Sequence, residues 1–506
     1  MSASISPNLE RPTFGVEVEF LIAVVEADAD APDPHRGLGL PPVLRIPQDE
    51  FESDGGEMYT LTRAKEVLDK CYGNLPPLPR PSASISQTIS TETVLDEYRD
   101  WTVKEDGSIF QTGDGPYNMI GVEIRSPVHY ASPAAFKSIS IAISAIVSHF
   151  RCQVNHSCGL HVHVGLGAER MSLEQIRRFA SLSYAIEPLL FTLHDPIRKA
   201  NMYCKPLRDH SFLANEADDE ELAVVHDDLR SKIPFVCHQY IGRDRRHGEL
   251  PMSAREDNAD KTYIDAFLRT RQPGHFEPFT KPGDSRHTKI LLGDISHELD
   301  LRISEAEAQD AQLQPAMTPS AEPPRKRLTP RVKLPLFDLE ELMASSRKIH
   351  RLYSYYLSCM GDREQPVTGV FEATGRIYAQ PASCYVAELL SGRERPATNF
   401  LNYQCEHLEP SGKTMRTIEF RAADGSLDGE WIATWARICA GLFTFALDAP
   451  PGDFIGVLEN CDTADREDGV YDVVDLLEDV GLFAEARYVE KRLMANRDKW
   501  RLELVE

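Results

Sequence analysis

The chain has no excess of positive charge, no paired-cysteine motif and no long apolar run, and each lack removes a class of function. Its 55 lysines and arginines are outnumbered by 79 aspartates and glutamates, for a formal net charge of −24. That balance opposes non-specific binding to nucleic acid or to anionic membranes, because both need a basic face that displaces counterions. A nucleotide remains possible, since its phosphates can be neutralised locally by metal ions and a few arginines. None of the ten cysteines forms a Cys-x-x-Cys pair, and Cys152 and Cys158 are the closest two. The expectation is reduced, mostly buried thiols. The longest apolar stretch, Ile139 to Val147, is interrupted by serines and is too short to span a bilayer. The first residues lack a basic region followed by an apolar run, so a cytoplasmic protein without a secretory signal is expected.

What is present is the balance of a soluble globular protein, 42% hydrophobic and 26% charged over 506 residues, long enough for two or three domains. Four short segments carry the chemistry: Glu17-Val-Glu19, Gly121-Val-Glu123-Ile, His161-Val-His163-Val-Gly165 and Ile418-Glu419-Phe420-Arg421. In a strand, residues i and i+2 share a face at about 6 to 7 Å, a spacing that suits two side chains sharing or bridging cations. The alternate residues Val18, Val122, Val162 and Phe420 are apolar and can pack on a core. Carboxylates converging on one sheet face repel unless divalent cations, an arginine or shifted protonation compensates them. The four segments together therefore describe one metal and phosphate site.

Phe14-Gly15-Val16-Glu17-Val18-Glu19-Phe20, Gly159-Leu160-His161-Val162-His163 and Thr417-Ile418-Glu419-Phe420-Arg421 resemble signature strands of the glutamine synthetase and γ-glutamylcysteine ligase superfamily, above all its amidoligase branch. Asp106-Gly107-Ser108, Glu123-Ile124-Arg125-Ser126-Pro127 and the stretch from Arg198 to Cys204 match further motifs of that branch. The likeness covers roughly residues 12–22, 101–207 and 395–447. It implies an α+β fold with a curved, mainly antiparallel sheet, helices on its outer face and the site in its concave face. It also implies an ATP-dependent carboxylate-amine ligase that works through an acyl phosphate with two or three Mg2+ ions, Mn2+ being a possible substitute. Small carboxylate and amine substrates would be its partners, with neither nucleic acid nor membrane. By resemblance, Glu17, Glu19, Glu123, His161 and Glu419 are metal ligands. His163 approaches the nucleotide phosphates, Arg421 meets the transferring phosphoryl group, and Arg198 is a further candidate for binding phosphate or substrate carboxylate. Arg421, Glu419 and His163 would form the catalytic set. Asn402 falls where the branch has an asparagine near its site. One departure is Ala422-Ala423, where the branch usually has glutamine and histidine.

Along the chain, residues 1–207 and 335–448 read as two parts of a catalytic core, 208–303 as an insertion or lid, 304–334 as a flexible linker and 449–506 as a helical extension. The linker reading rests on a segment with few apolar residues. Arg325-Lys326-Arg327 within it reads as a solvated charge run. Ala27 to Gln48 reads as a loop, and Leu61 to Tyr72 and Ala134 to Phe150 as helices. Ser172 with Gln175 forms a capping box, and Leu173, Ile176, Phe179, Leu182, Ile186 and Leu189 recur at helical spacing behind it. Asp428 caps a second such helix, with Ile432, Trp435, Cys439, Leu442 and Phe445 as its apolar stripe. Two other readings compete. A cupin-like metal oxygenase or hydrolase would use His161, His163 and Glu169, although four glutamates beside a single histidine pair favour a hard ion such as magnesium. A catalytically inactive binding protein would keep the fold and recruit a partner through its acidic insert.

Overall fold

The four strand-spaced segments become neighbouring strands of one sheet, each placed by its own alternation of apolar and polar residues. The computed structural model describes residues 12–27, 33–35, 37–73, 99–109, 116–167, 171–201, 203–214, 327, 329–333, 368–380, 383–391, 395–403, 417–465 and 470–505. Its strands are β1 (Thr13–Glu26), β2 (Leu44–Ile46), β3 (Thr102–Lys104), β4 (Asn118–Arg125), β5 (His129–Tyr130), β6 (Cys152–Gln153), β7 (Gly159–Gly165), β8 (Arg331–Lys333), β9 (Thr398–Asn399), β10 (Ile418–Asp424) and β11 (Glu503–Val505). The main sheet runs in the order β3-β4-β1-β7-β10-β9, antiparallel at every step, and β2, β5 and β6 pair with β1 off that path. The fold is α+β, as expected.

One face of this sheet is apolar. Val16, Val18, Phe20, Val122, Ile124, Val162 and Phe420 are buried against the helices Pro133–His149, Leu173–Leu190 and Gly429–Asp448. Phe14 stacks on Phe136 at 4.5 Å, and Phe179 meets Phe420 edge-on at 5.8 Å. Offset and edge-on ring pairs of this kind add to the burial of apolar area. Two of the helices start where local chemistry dictates. The Ser172 side chain accepts from the Gln175 amide in a complete capping box, and Asp428 accepts from the amides of Glu430 and Trp431.

Several boundaries differ from those expected. The presumed loop 27–48 contains β2, parallel to the end of β1, with Ile46 fully buried; a three-residue strand is too short to show a period. The core continues past residue 207, because the carboxylate of Glu187 accepts from the amides of Leu207 and Arg208, and Leu213 bonds to Leu389. The end of the presumed linker is docked. β8 pairs with β11, Val332 is buried, and Arg327 pairs with Asp472 and Asp475. Composition missed this because charge pairing and one valine, rather than an apolar run, hold the segment. Most of the insertion 208–303, most of the linker, and Arg325 and Lys326 lie outside the described residues. The cysteines described are all free, five of the seven being buried, Cys158 among them. Among the described residues, no helix is long and apolar enough to cross a membrane.

Candidate functional site

The opposite face of the sheet collects the polar residues. Register places Glu17 opposite both Arg125 and His161, Glu19 opposite Glu123, and Glu419 opposite both His163 and Asn399. Glu17, Glu19, Glu123, His161, His163 and Glu419, all expected at the site, are thus brought together by antiparallel pairing of period-two strands. They form two groups rather than one. Glu17, His161 and Glu419 each offer a donor atom within 4.8 Å of the others, and so do Glu19, Asp106 and Glu123. His161 links the groups, with Nδ1 3.4 Å from Glu17 and 3.5 Å from Glu419, and Nε2 3.7 Å from Glu19.

Arg421 reaches the site through a β-bulge. Phe420 pairs with Val162 and the next pair is Ala423 with Leu160, so Arg421 and Ala422 together stand opposite His161. Arg421 forms an ion pair with Glu419, and its Nε donates to the Tyr203 carbonyl at 2.9 Å. Arg198 lies beneath this bulge, 2% exposed. Its guanidinium donates to the carbonyls of Arg421 at 2.9 Å, Ala422 at 3.3 Å and Cys158 at 3.5 Å. The structure therefore uses Arg198 to hold the backbone under the site and does not bring it to the cavity with the other candidates. Ala422 and Ala423 are buried, and neither lines the cavity.

Several contributors had no role assigned from sequence, although Asp106 and Arg125 stand in motifs that carry the family resemblance. Asp106 follows β3 in a turn, where its side chain accepts from the Ser108 amide and hydrogen-bonds to Glu123; no periodicity marks a loop residue. Arg125, two residues from Glu123 on β4, pairs with Glu123 and, at 2.9 Å, with Glu17. Its Glu-x-Arg spacing, the same as Glu419-x-Arg421, was the available clue. Asn399 donates to Glu419 at 3.0 Å. The Gly159 amide donates to Glu19 at 2.6 Å, and a Cβ at Gly159 would lie 2.7 Å from His161 Nε2. Only glycine leaves that space open.

Protonation follows from this crowding. Burial raises Glu17, but His163 and His161 outweigh it and hold the carboxyl well below its ordinary range. Burial likewise works against the ionised form of Glu419, and Arg421, His163 and His161 bring it down. His163 is raised, its own burial being overcome by Glu17 and Glu419. Glu123 is pushed up to about 8, by burial first, then by the charge of Glu17 and its hydrogen bond to Asp106, with Arg125 and Lys104 opposing. The opposite shifts of Glu123, raised, and Asp106, lowered, favour a proton on Glu123 in their hydrogen bond, which offsets repulsion that a divalent cation would also offset.

A cavity of about 260 Å³ adjoins the first group, lined by Phe14, Glu17, Arg125, Val128, His163, Arg395, Asn399, Leu401, Asn402, Thr417, Glu419 and Arg421 among others. Thr417 fixes His163 Nδ1 at 3.1 Å and accepts from Asn402 Nδ2 at 3.2 Å. A second cavity, about 470 Å³ between Glu187, Lys199, Arg208 and Asp465, shares none of these residues. The donors of both acidic groups are carboxylate oxygens apart from one imidazole, a set that fits magnesium or manganese rather than the imidazole-rich sites of iron or zinc. Glu169 lies outside the described residues.

Residues 10–238 match the family model described as "Putative amidoligase enzyme", which indicates an enzyme of ligase type. Glu17, Glu19, Asp106, Glu123, His161, His163 and Arg198 lie within the match; Glu419, Arg421 and Arg395 lie beyond it and join through the fold. No curated protein and no solved structure matches the chain.

Proposed function

From the match of residues 10–238 to the amidoligase family model, we propose that the chain is an ATP-dependent carboxylate-amine ligase that activates its substrate as an acyl phosphate. The observation that carries the proposal is the pairing of two acidic groups, Glu17-His161-Glu419 and Glu19-Asp106-Glu123, with Glu17 and Glu419 of the first lining a cavity that also presents Arg421 and His163. The carboxylates of the two groups, with His161, would hold divalent cations, whose charge would offset that of the phosphates.

The chain's own residues do the rest. Glu17, Glu419 and His161 present ligand atoms from three adjacent strands whose register fixes their separation. Arg421, held by Glu419 and the Tyr203 carbonyl, presents a cation at the cavity wall for the phosphoryl oxygens. His163, its cationic form favoured by Glu17 and Glu419 against its own burial and its ring fixed by Thr417, faces the same space. Catalysis in such a site comes from positioning and charge neutralisation.

Incubating the protein with ATP, Mg2+ and carboxylate candidates in hydroxylamine tests this. ADP, phosphate and a hydroxamate are expected, and AMP with pyrophosphate would refute the acyl-phosphate route. Nucleotide binding without any turnover would instead favour an inactive binding protein. Iron or zinc retained in stoichiometric amount after purification without chelator would favour the oxygenase or hydrolase reading.

A further inference from the structure

The cavity beside the acidic groups holds several cations, and all but one are already committed. Arg125 is paired with Glu17 and Glu123. Arg421 is paired with Glu419, and His163 sits between Glu17 and Glu419 with Thr417 behind it. The amide donors of the lining are engaged too, Asn399 with Glu419 and Asn402 with Thr417. Arg395 differs: it lines the same cavity, its side chain is exposed, and among the described residues its guanidinium meets no carboxylate and no carbonyl.

Its backbone, by contrast, is fixed. The Arg395 carbonyl accepts from Lys205, Pro396 forms a β-bridge with Lys205, and Ala397 bonds to Lys205 on one side and to Arg421 on the other. A short hydrogen-bonded path therefore joins the Arg395 main chain to the bulge that carries Arg421. A guanidinium on an anchored main chain, with no partner among the described residues, is arranged to meet an anion from outside. Val128 and Leu401, both half-buried, give the cavity an apolar part to its lining.

We propose that Arg395 is the anion-anchoring residue of this cavity, gripping an oxyanion carried by the ligand at a distance from the group that reacts beside Glu17, Glu419 and Arg421. The occupant favoured by the apolar part of the lining is a carboxylate substrate with a second anionic group on a short aliphatic stem, such as a dicarboxylate or an acidic amino acid. A nucleotide phosphate would present the same oxyanion chemistry. The inference rests on the ligase reading for the identity of the reacting group, while the grip itself is a matter of binding.

The test compares the wild type with Arg395→Met, a change that keeps the aliphatic stem and removes the fork. ADP release is measured over paired carboxylates, glutarate against butyrate and L-glutamate against 4-aminobutyrate, and calorimetry measures binding of the same compounds and of Mg·ADP. The expected result is that wild type uses and binds the doubly anionic members, and that Arg395→Met raises their KM and Kd by about tenfold or more, the scale of one lost charge-assisted bond. Weakening of Mg·ADP alone by that factor assigns the oxyanion to the nucleotide phosphate and keeps the anchor. If Arg395→Met changes neither binding constant, or if the best substrate has no second anion and Mg·ADP binds as before, the proposal falls. Failure of wild type to release ADP with every member would count against the ligase reading, and the calorimetry would still decide the role of Arg395.

Discussion

At the scale of single residues, two side chains separate catalysis from scaffolding. Arg421 is at once the partner of Glu419 and a wall of the cavity, so both its charge and its shape are in use. Arg421→Lys keeps the charge and loses the planar fork. We expect kcat for ADP release to fall by roughly 10² or more with a modest change in KM, on the scale of removing one preorganised donor. A variant with near wild-type kcat and a lowered melting temperature would reduce Arg421 to a sheet-face partner. Asp106 is the member of the second acidic group that strand periodicity could not reveal. Asp106→Asn keeps size and hydrogen bonding but removes one charge from the Glu19-Asp106-Glu123 group. Its Mn2+ affinity, read by paramagnetic resonance titration, should drop on the order of tenfold or more; an unchanged affinity would remove Asp106 from the ligand set.

At the scale of elements, the helix Leu173–Leu190 is tied to the turn that follows it by one buried acid. Glu187 accepts from the Leu207 and Arg208 amides at 2.8 and 3.0 Å, yet burial dominates and pushes its carboxyl up to about 7, with Asp209 adding to the rise and the bonds opposing it. With the folded value raised above the ordinary 4.5, the native state holds a proton that the unfolded chain has released. Stability from this group is therefore greatest in acid and declines as pH rises from about 4.5 through about 7. Glu187→Gln cannot ionise, so melting temperatures taken at several pH values across that window should fall less steeply for the variant than for the wild type. Parallel slopes would show that Glu187 titrates normally.

At the scale of the molecule, the C-terminal extension closes on the chain through a charged clasp. Arg327 pairs with Asp472, which is 1% exposed and accepts from the amides of Val332, Val474 and Asp475. Removing the guanidinium leaves a buried carboxylate with less compensation, so Arg327→Ala should cost about 2 kcal/mol in urea unfolding. Replacing residues 304–326 with a Gly/Ser chain of equal length should leave that midpoint and ADP release within a few-fold, because their composition offers little apolar area to bury. Loss of soluble protein on that replacement would make the segment part of the fold.

Local chemistry determined much of this. Period-two glutamates and histidines with valine or phenylalanine between them, together with Ser172 and Asp428 at helix starts, are short-range features, and each dictates a face or a boundary without reference to the rest of the chain. Register across distant strands decided the remainder. The split of the acids into two groups, the meeting of Asp106 with Glu123, the burial of Arg198 beneath the bulge, the docking of β8 on β11 and the uncommitted guanidinium of Arg395 all depend on which segments lie side by side. Spacing along one segment carries no record of its neighbours, and the energies that choose them arise only once the core has closed.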